Sequence, residues 1–167
     1  MNAPFSANSA PVPLPEGFVD ALVAVLGPKG VSQDAAEIAP RLSDWRGRYQ
    51  GASPLLIKPA STEQVSAALA LCYQADVAVT PQGGNTGLVN GGIPYGEVLI
   101  STHRMNKVHS VDALNDSLVA EAGCTLVAVQ EAATEAGRLF PLSLGSEGTA
   151  TLGGLLSTNA GGVNVLR

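Results

Sequence analysis

The sequence predicts an α+β chain in which a small parallel βαβ subdomain is followed by a second, mixed and antiparallel subdomain that reads as incomplete. Three observations carry this. An apolar helix stands between two short apolar runs with brief joins in the first half, which is the signature of a βαβ unit with parallel strands. Alternating apolar and polar residues on either side of an Asn-Asp-Ser turn in the second half mark an antiparallel hairpin. The tail is rich in glycine and stops before another strand or helix is complete.

Taken in order, Met1 to Pro15 carries neither a basic stretch nor an apolar stretch, so it reads as a loose leader and not as a secretory signal. Residues 16–50 form a helical segment and connector. Phe18, Leu22, Val25 and Leu26 recur at helical spacing over Glu16 to Leu26, and Gly27-Pro28 ends the run. Ser32 to Leu42 suits a second short helix capped by Ser32, and Asp44 to Tyr49 is a polar, aromatic connector. Residues 51–104 form the parallel subdomain. Leu55 to Ile57 is a buried strand between Pro54 and Pro59. Ser61 and Gln64 make a capping box, with Val65, Ala68, Leu69 and Cys72 on one apolar helix face. Val77 to Thr80 is a second strand, Pro81 to Pro94 a long loop, and Glu97 to Ser101 a third strand. Residues 105–167 form the second subdomain. Lys107 to Val111 and Leu118 to Glu121 are the hairpin strands, Leu126 to Gly137 is a helix, and Pro141 to Leu144 is extended.

Composition excludes several functions. Hydrophobic residues at 46% and charged residues at 14% can fill a core, so a disordered chain is excluded. A net charge of −5 without a basic cluster argues against nucleic-acid binding, which needs Lys and Arg against phosphate. No apolar run is long enough for a membrane-spanning helix. Cys72 and Cys124 match no metal or redox spacing and read as two buried thiols in a reducing, cytoplasmic setting. Asn115-Asp116-Ser117 fits a glycosylation sequon but reads as a turn.

The 19 glycines fall mainly in two clusters, Gly83 to Gly92 and Gly145 to Gly162. Glycine costs chain entropy, so dense clusters imply a backbone that something must approach closely. The first, Pro81, Gln82, Gly83, Gly84, Asn85, Thr86, Gly87 and Leu88, directly follows a strand of the βαβ unit, at the carboxyl edge where parallel sheets take ligands. Its N–H groups can converge on an anion, and it holds no Lys or Arg. Oriented dipoles without a cation suit a diphosphate bridge. There is no G-x-G-x-x-G in this loop and no G-x-S-x-G in the chain, and Ile93 stands where a P-loop after Gly87 and Gly92 would need Lys. The second cluster offers Gly145, Ser146, Gly148, Thr149, Gly153, Gly154, Asn159, Gly161 and Gly162, with Leu152, Leu155 and Leu156 as one apolar helix face. On its residues alone it reads equally as a ligand wall or as a small-residue helix packed on a sheet.

The segments DWRGRYQG, PQGGNTGLVNGG and PLSLGSEGTATLGGLLSTNAGG, in this order, resemble the FAD-linked oxidase family with the vanillyl-alcohol oxidase binding fold. The nearest branch is that of D-2-hydroxyglutarate dehydrogenase, D-lactate dehydrogenase and the FAD subunit of glycolate oxidase. The resemblance runs from about Trp45 to Arg167. It implies an FAD-binding domain, with Gly83 to Leu88 around the FAD diphosphate. Gly145, Ser146, Gly148 and Thr149 would run along the flavin and ribityl chain, and Gly153, Gly154, Asn159, Gly161 and Gly162 would complete the wall. It implies hydride transfer from a D-2-hydroxy acid to FAD, then electron transfer to an acceptor protein or quinone. A substrate domain beyond Arg167 and a homodimer of the full-length protein are expected on the same grounds. The alternative is a non-catalytic FAD- or nucleotide-binding module, inactive on its own. Alcohol and sugar-lactone oxidases of the same fold are a weaker match. His103 and His109 match neither position of a flavin-linking histidine, so non-covalent FAD is expected. No metal site and no catalytic base is assigned, and Arg46, Arg48 and Arg104 read as solvated charges.

Overall fold

A computed structural model of the chain describes residues 5, 6 and 11–164. Of the loose leader expected over Met1 to Pro15, residues 1–4 and 7–10 lie outside the described residues, while Val12 N–H donates to Gly96 O and Leu14 packs on the core, so this part is held to the fold. The first half is built on a four-stranded sheet. Its strands are β2 (Val31–Ser32), β4 (Leu56–Ile57), β5 (Val79–Gln82) and β6 (Val98–Ser101), in the order β2-β4-β6-β5. β4, β6 and β5 are parallel, and β2 is antiparallel to β4. The two strands of the βαβ unit are therefore not neighbours, because the fully buried β6 slots between them. A separate two-stranded pairing joins β1 (Phe5–Ser6) in parallel to β3 (Tyr49–Gln50).

Helices α1 (Phe18–Leu26) and α3 (Thr62–Gln74) cover one face of the sheet. Phe18, Leu22 and Leu26 of α1 and Ala68 and Cys72 of α3 pack on Leu55, Ile57, Val98 and Ile100. Side chains alternate across a strand, so Leu56 and Leu99 point to the opposite face, where they meet Ile38 of the short helix α2 (Ala35–Ile38). The α3 face is turned from the one its spacing predicts, since Leu69 is exposed while Leu71 packs on the core beside Val65, Ala68 and Cys72. Ser61 caps α3 by accepting from Gln64 N–H, and the Gln64 side chain accepts from Ala60 N–H at 2.8 Å. The predicted helix over Ser32 to Leu42 is shorter. Ser32 belongs to β2, Asp34 is the cap, accepting from Ala36 N–H at 2.9 Å, and a 3-10 turn containing Pro40 follows. Proline has no N–H to continue an α-helix there.

The second half begins with the expected hairpin, β7 (Val108–Asp112) against β8 (Ser117–Ala120), turned through Asn115 and Asp116. Helix α4 (Leu126–Glu135) ends at Gly137, whose φ is 69°. Helix α5 (Leu152–Ser157) is short, and of its expected apolar face Leu155 is buried while Leu156 is exposed. Residues 150–153 lie along residues 122–126, bonded from Leu126 N–H to Ala150 O, Leu152 N–H to Cys124 O and Gly153 N–H to Ala122 O. Leu126, Ala150 and Leu155 form the small core of this half, with Phe140, Leu142 and Leu144 against it. Parallel and antiparallel sheets in one chain make the fold α+β, as expected.

Candidate functional site

The strand β5 runs two residues further than its alternation predicts, so Pro81 and Gln82 are paired sheet residues opposite Ile100 and Ser101. Gln82 is 2% exposed, and its Nε2 donates to Arg41 O at 2.9 Å and to Gly92 O at 2.8 Å. That pair of bonds closes the neck of the loop from Gly83 to Gly92 and fastens it to the 3-10 turn that ends at Arg41. Asn85, at φ 53°, donates from Nδ2 to Ser43 O at 2.8 Å, a second fastening just before the connector. The side chain of Asn85 is thus engaged with the protein. Asn90 Nδ2 reaches Tyr95 Oη at 2.6 Å. The backbone is different: among the described residues, no N–H group from Gly83 to Gly92 donates to a protein acceptor.

The second glycine segment is held against the first. A Cβ on Gly84 would lie 1.8 Å from Thr149 O, and one on Gly83 would lie 2.1 Å from Thr151 Oγ1. Those two glycines let the segments touch. Gly87 differs, because nothing lies within 4 Å of where its Cβ would be. Glu147 anchors the second segment by accepting from Ser143 Oγ at 2.7 Å, Leu144 N–H at 3.2 Å and Gln130 Nε2 at 3.3 Å. The Ser143 and Gln130 bonds hold its carboxyl below the usual range against a smaller upward push from burial.

Between the segments lies a cleft of about 680 Å³. Pro81 to Leu88 line it, as do Ser146, Gly153 and Gly154. Gly145, Gly148, Thr149, Asn159, Gly161 and Gly162 do not. Thr149 supports Gly84 through its carbonyl, Gly162 packs against Ser143 O, and Gly145 and Gly148 are exposed. Asn159, at φ 50°, follows the end of α5 and is also exposed. The cleft also takes in residues absent from the sequence-based site: Asp44, Asn90, Thr102 and Thr151. Asp44 had a signal in its position before the aromatic connector, and Thr151 in its place among the glycines. Asn90 had one in its place within the first glycine cluster, and Thr102 joins the cleft only through the course of the chain.

The electrostatics are unusual for an anion site. Among the described residues no Lys or Arg lines the cleft, and Asp44 is the charged residue that does. Asp44 is buried, which raises its carboxyl pKa. Bonds from Tyr49, Arg48 and Arg46 N–H more than offset that, and the carboxyl stays below its usual range. Among the described residues three side-chain atoms are buried without a hydrogen-bond partner, Gln82 Oε1, Asn90 Oδ1 and Thr151 Oγ1, and all belong to cleft residues. Unpaired N–H groups, neutral hydroxyls and orphaned polar atoms are what a dinucleotide would complete, so the residues fit FAD.

The remaining candidates lie elsewhere. His103 Nδ1 is 3.0 Å from Ser101 Oγ, and burial with nearby Arg41 and Lys58 lowers its pKa. His109 stands 3.8 Å from Glu121. Arg104 donates to Lys58 O at 2.7 Å and Arg46 lies over the Trp45 ring at 5.0 Å. None of these, nor Arg48, lines the cleft. Cys72 and Cys124 are buried, which pushes both thiols up. Among the described residues no helix is long and apolar enough to cross a membrane, and no group of three His, Cys, Asp or Glu side chains is placed to hold a metal.

Comparison with known proteins agrees with the cleft. The model of the FAD binding domain family matches residues 53–167. D-2-hydroxyglutarate dehydrogenase, mitochondrial, of Arabidopsis thaliana is 41% identical over 86% of this chain and 26% of its own length. The Bos taurus enzyme of the same name is 41% identical over 84% of this chain and 26% of its own. This chain therefore spans about a quarter of the length of these relatives. Among solved structures, an alkyldihydroxyacetonephosphate synthase superposes with a TM-score of 0.80 at 24% identity, over 95% of this chain and 33% of that one. A p-cresol methylhydroxylase does so with 0.71 at 19%, over 93% and 32%. These two likenesses speak for the fold. The expected cytoplasmic setting is overturned, because the Arabidopsis and cattle relatives are mitochondrial by name. With the matched region spanning both glycine segments and the cleft between them, this chain belongs to the FAD-binding domain family.

Proposed function

We propose that this chain is the FAD-holding part of a flavin-dependent dehydrogenase that oxidises a D-2-hydroxy acid of the 2-hydroxyglutarate, lactate or glycolate type. The observation that carries the proposal is the run of unpaired N–H groups from Gly83 to Gly92 along a cleft that no Lys or Arg among the described residues lines. Fixed amide dipoles stabilise a diphosphate without a counter-charge having to be ordered. The relatives named D-2-hydroxyglutarate dehydrogenase support the substrate class.

In this reading Gly83, Gly84, Thr86, Gly87 and Leu88 present N–H groups to the diphosphate, while Gln82 and Asn85 hold the loop in shape. Ser146, Gly153 and Gly154 form the facing wall. Thr149 and Gly162 steady that wall from behind, beside Gly145, Gly148, Asn159 and Gly161. FAD, when bound, supplies the acceptor for the hydride from C2 of the hydroxy acid, and an acceptor protein or quinone takes the electrons. Binding is non-covalent, a reading favoured by the position of both histidines outside the cleft. The two-unit division of the FAD-binding region, at residues 51–104 and 105–167, and a homodimer of the longer protein belong to the same proposal. A second reading, a FAD-holding piece inactive by itself, is favoured by the quarter-length coverage of the relatives.

The test is optical. The purified protein is expected to carry flavin absorbance that is released by denaturation, and to bleach when a D-2-hydroxy acid is added without oxygen. A flavin that no D-2-hydroxy acid bleaches overturns the substrate class and leaves the second reading. A protein that neither carries nor takes up FAD overturns both.

A further inference from the structure

Among the described residues Gln82 Oε1, Asn90 Oδ1 and Thr151 Oγ1 are buried and lack a partner, and all three residues line the same cleft. Buried polar atoms are seldom left unpaired in a folded protein, because desolvation without a bond is costly. Of the three, Gln82 has a defined polarity. Its Nε2 donates to two carbonyl oxygens, Arg41 O and Gly92 O. Turning the amide over would set Oε1 against both carbonyls, so the unpaired atom is an acceptor. An ionised diphosphate has no proton to give it. The group that completes Gln82 must carry an O–H or N–H.

Gln82 immediately precedes the unpaired amides, and the Thr151 hydroxyl lies against Gly83, where a Cβ would come within 2.1 Å of it. The acceptor and the diphosphate-holding amides are therefore contiguous in the chain. We infer that the Gln82 side-chain oxygen accepts a hydrogen bond from a donor of the bound dinucleotide flanking its diphosphate: a ribityl hydroxyl, a ribose hydroxyl or the adenine amine. The inference rests on the reading of the cleft as an FAD site. It gives Gln82 two roles, with the nitrogen closing the loop and the oxygen reading the nucleotide.

Removing Gln82 also opens the loop neck, so the test is a cycle in which that effect cancels. Equilibrium dissociation constants are measured by flavin fluorescence on the intact protein stripped of flavin. The ligands are FAD, FAD with a 2′-deoxyribityl chain, FAD with a 2′,3′-dideoxyribose, and FAD with purine in place of adenine. The original protein is expected to bind one analogue roughly tenfold more weakly than FAD, the scale of one hydrogen bond. Gln82→Met is expected to bind that analogue and FAD equally. The analogue that loses the difference identifies the donor. Gln82→Asn, which withdraws the oxygen while keeping a polar amide, is expected to behave as Gln82→Met and serves if that variant does not fold. Discrimination that survives unchanged in both Gln82→Met and Gln82→Asn overturns the inference, as does its absence for all three analogues in the original protein. Failure of the original protein to bind FAD is a separate result, which removes the flavin reading itself.

Discussion

Gly84 and Gly87 stand three residues apart in one loop and are glycine for different reasons. At Gly84 the backbone of the facing segment occupies the space a side chain would need, with Thr149 O 1.8 Å from an added Cβ. At Gly87 that space is open to the cleft. Gly84→Ala is accordingly expected to push the two segments apart and to destabilise the protein by about 1–3 kcal/mol, the range for overpacking. Gly87→Ala is expected to leave thermal stability within about 0.5 kcal/mol and to weaken FAD binding through its new methyl group. Thermal melts with and without FAD separate the two cases. Equal melts for both variants would show that contact between the segments does not hold the loop. Asn85 was legible as a loop residue but not as a fastener, since its bond to Ser43 O joins residues 42 positions apart.

At the scale of elements, the wall behind the cleft depends on how α4 and residues 143–147 are joined. Glu147 makes that joint, accepting from Ser143, Leu144 and, across from α4, Gln130. Its carboxyl pKa in the folded protein is lowered. A lowered carboxyl pKa means the unfolded chain binds the proton more readily, so its stabilisation is present above the unfolded pKa and is lost as pH falls through the folded one. Melting temperatures measured down through the carboxylate range are expected to fall less steeply for Glu147→Gln than for the original protein. Parallel slopes would place the acid sensitivity at other carboxylates, Asp44 first among them. The helices themselves were readable, because α1, α3 and α4 combine helical apolar spacing with an end signal: Gly27 after α1, Ser61 before α3 and Gly137 after α4. Misplaced boundaries came from competition between neighbours. Ser32 could cap a helix, but its backbone pairs with Leu56 in the sheet, and Asp34 caps instead.

For the whole molecule, the cleft is where the loop after β5 meets the segment from Leu144 to Ala160. The parallel sheet supplies residues 81–92 and the hairpin half supplies residues 144–160, so ligand in the cleft would tie both together. FAD is therefore expected to stabilise the folded state as a unit. Free FAD at a hundred times its dissociation constant adds about 2.7 kcal/mol by mass action. A single melting transition that shifts upward with FAD concentration is the expected result. Two transitions, of which FAD moves one, would show that the halves unfold independently and that one of them alone holds the nucleotide.

The amino-acid sequence by itself determined the class of the fold, the helices, the hairpin and the two glycine segments. Each is written in local spacing, caps and turn residues, and the segments' likeness to a flavoprotein family pointed to FAD. Tertiary structure decided what lies next to what. It set β6 between β4 and β5, placed Thr149 and Thr151 against Gly84 and Gly83, and turned Gln82 and Asn85 into clamps on Arg41 and Ser43. It also admitted Asp44, Asn90 and Thr151 to the cleft and left Gly145, Gly148 and Asn159 outside it. The physical reason is range. Helix and turn preferences act over a few residues, whereas which backbone amides remain unpaired, and which polar atoms are buried without a partner, depends on chain segments brought together from distant parts of the sequence.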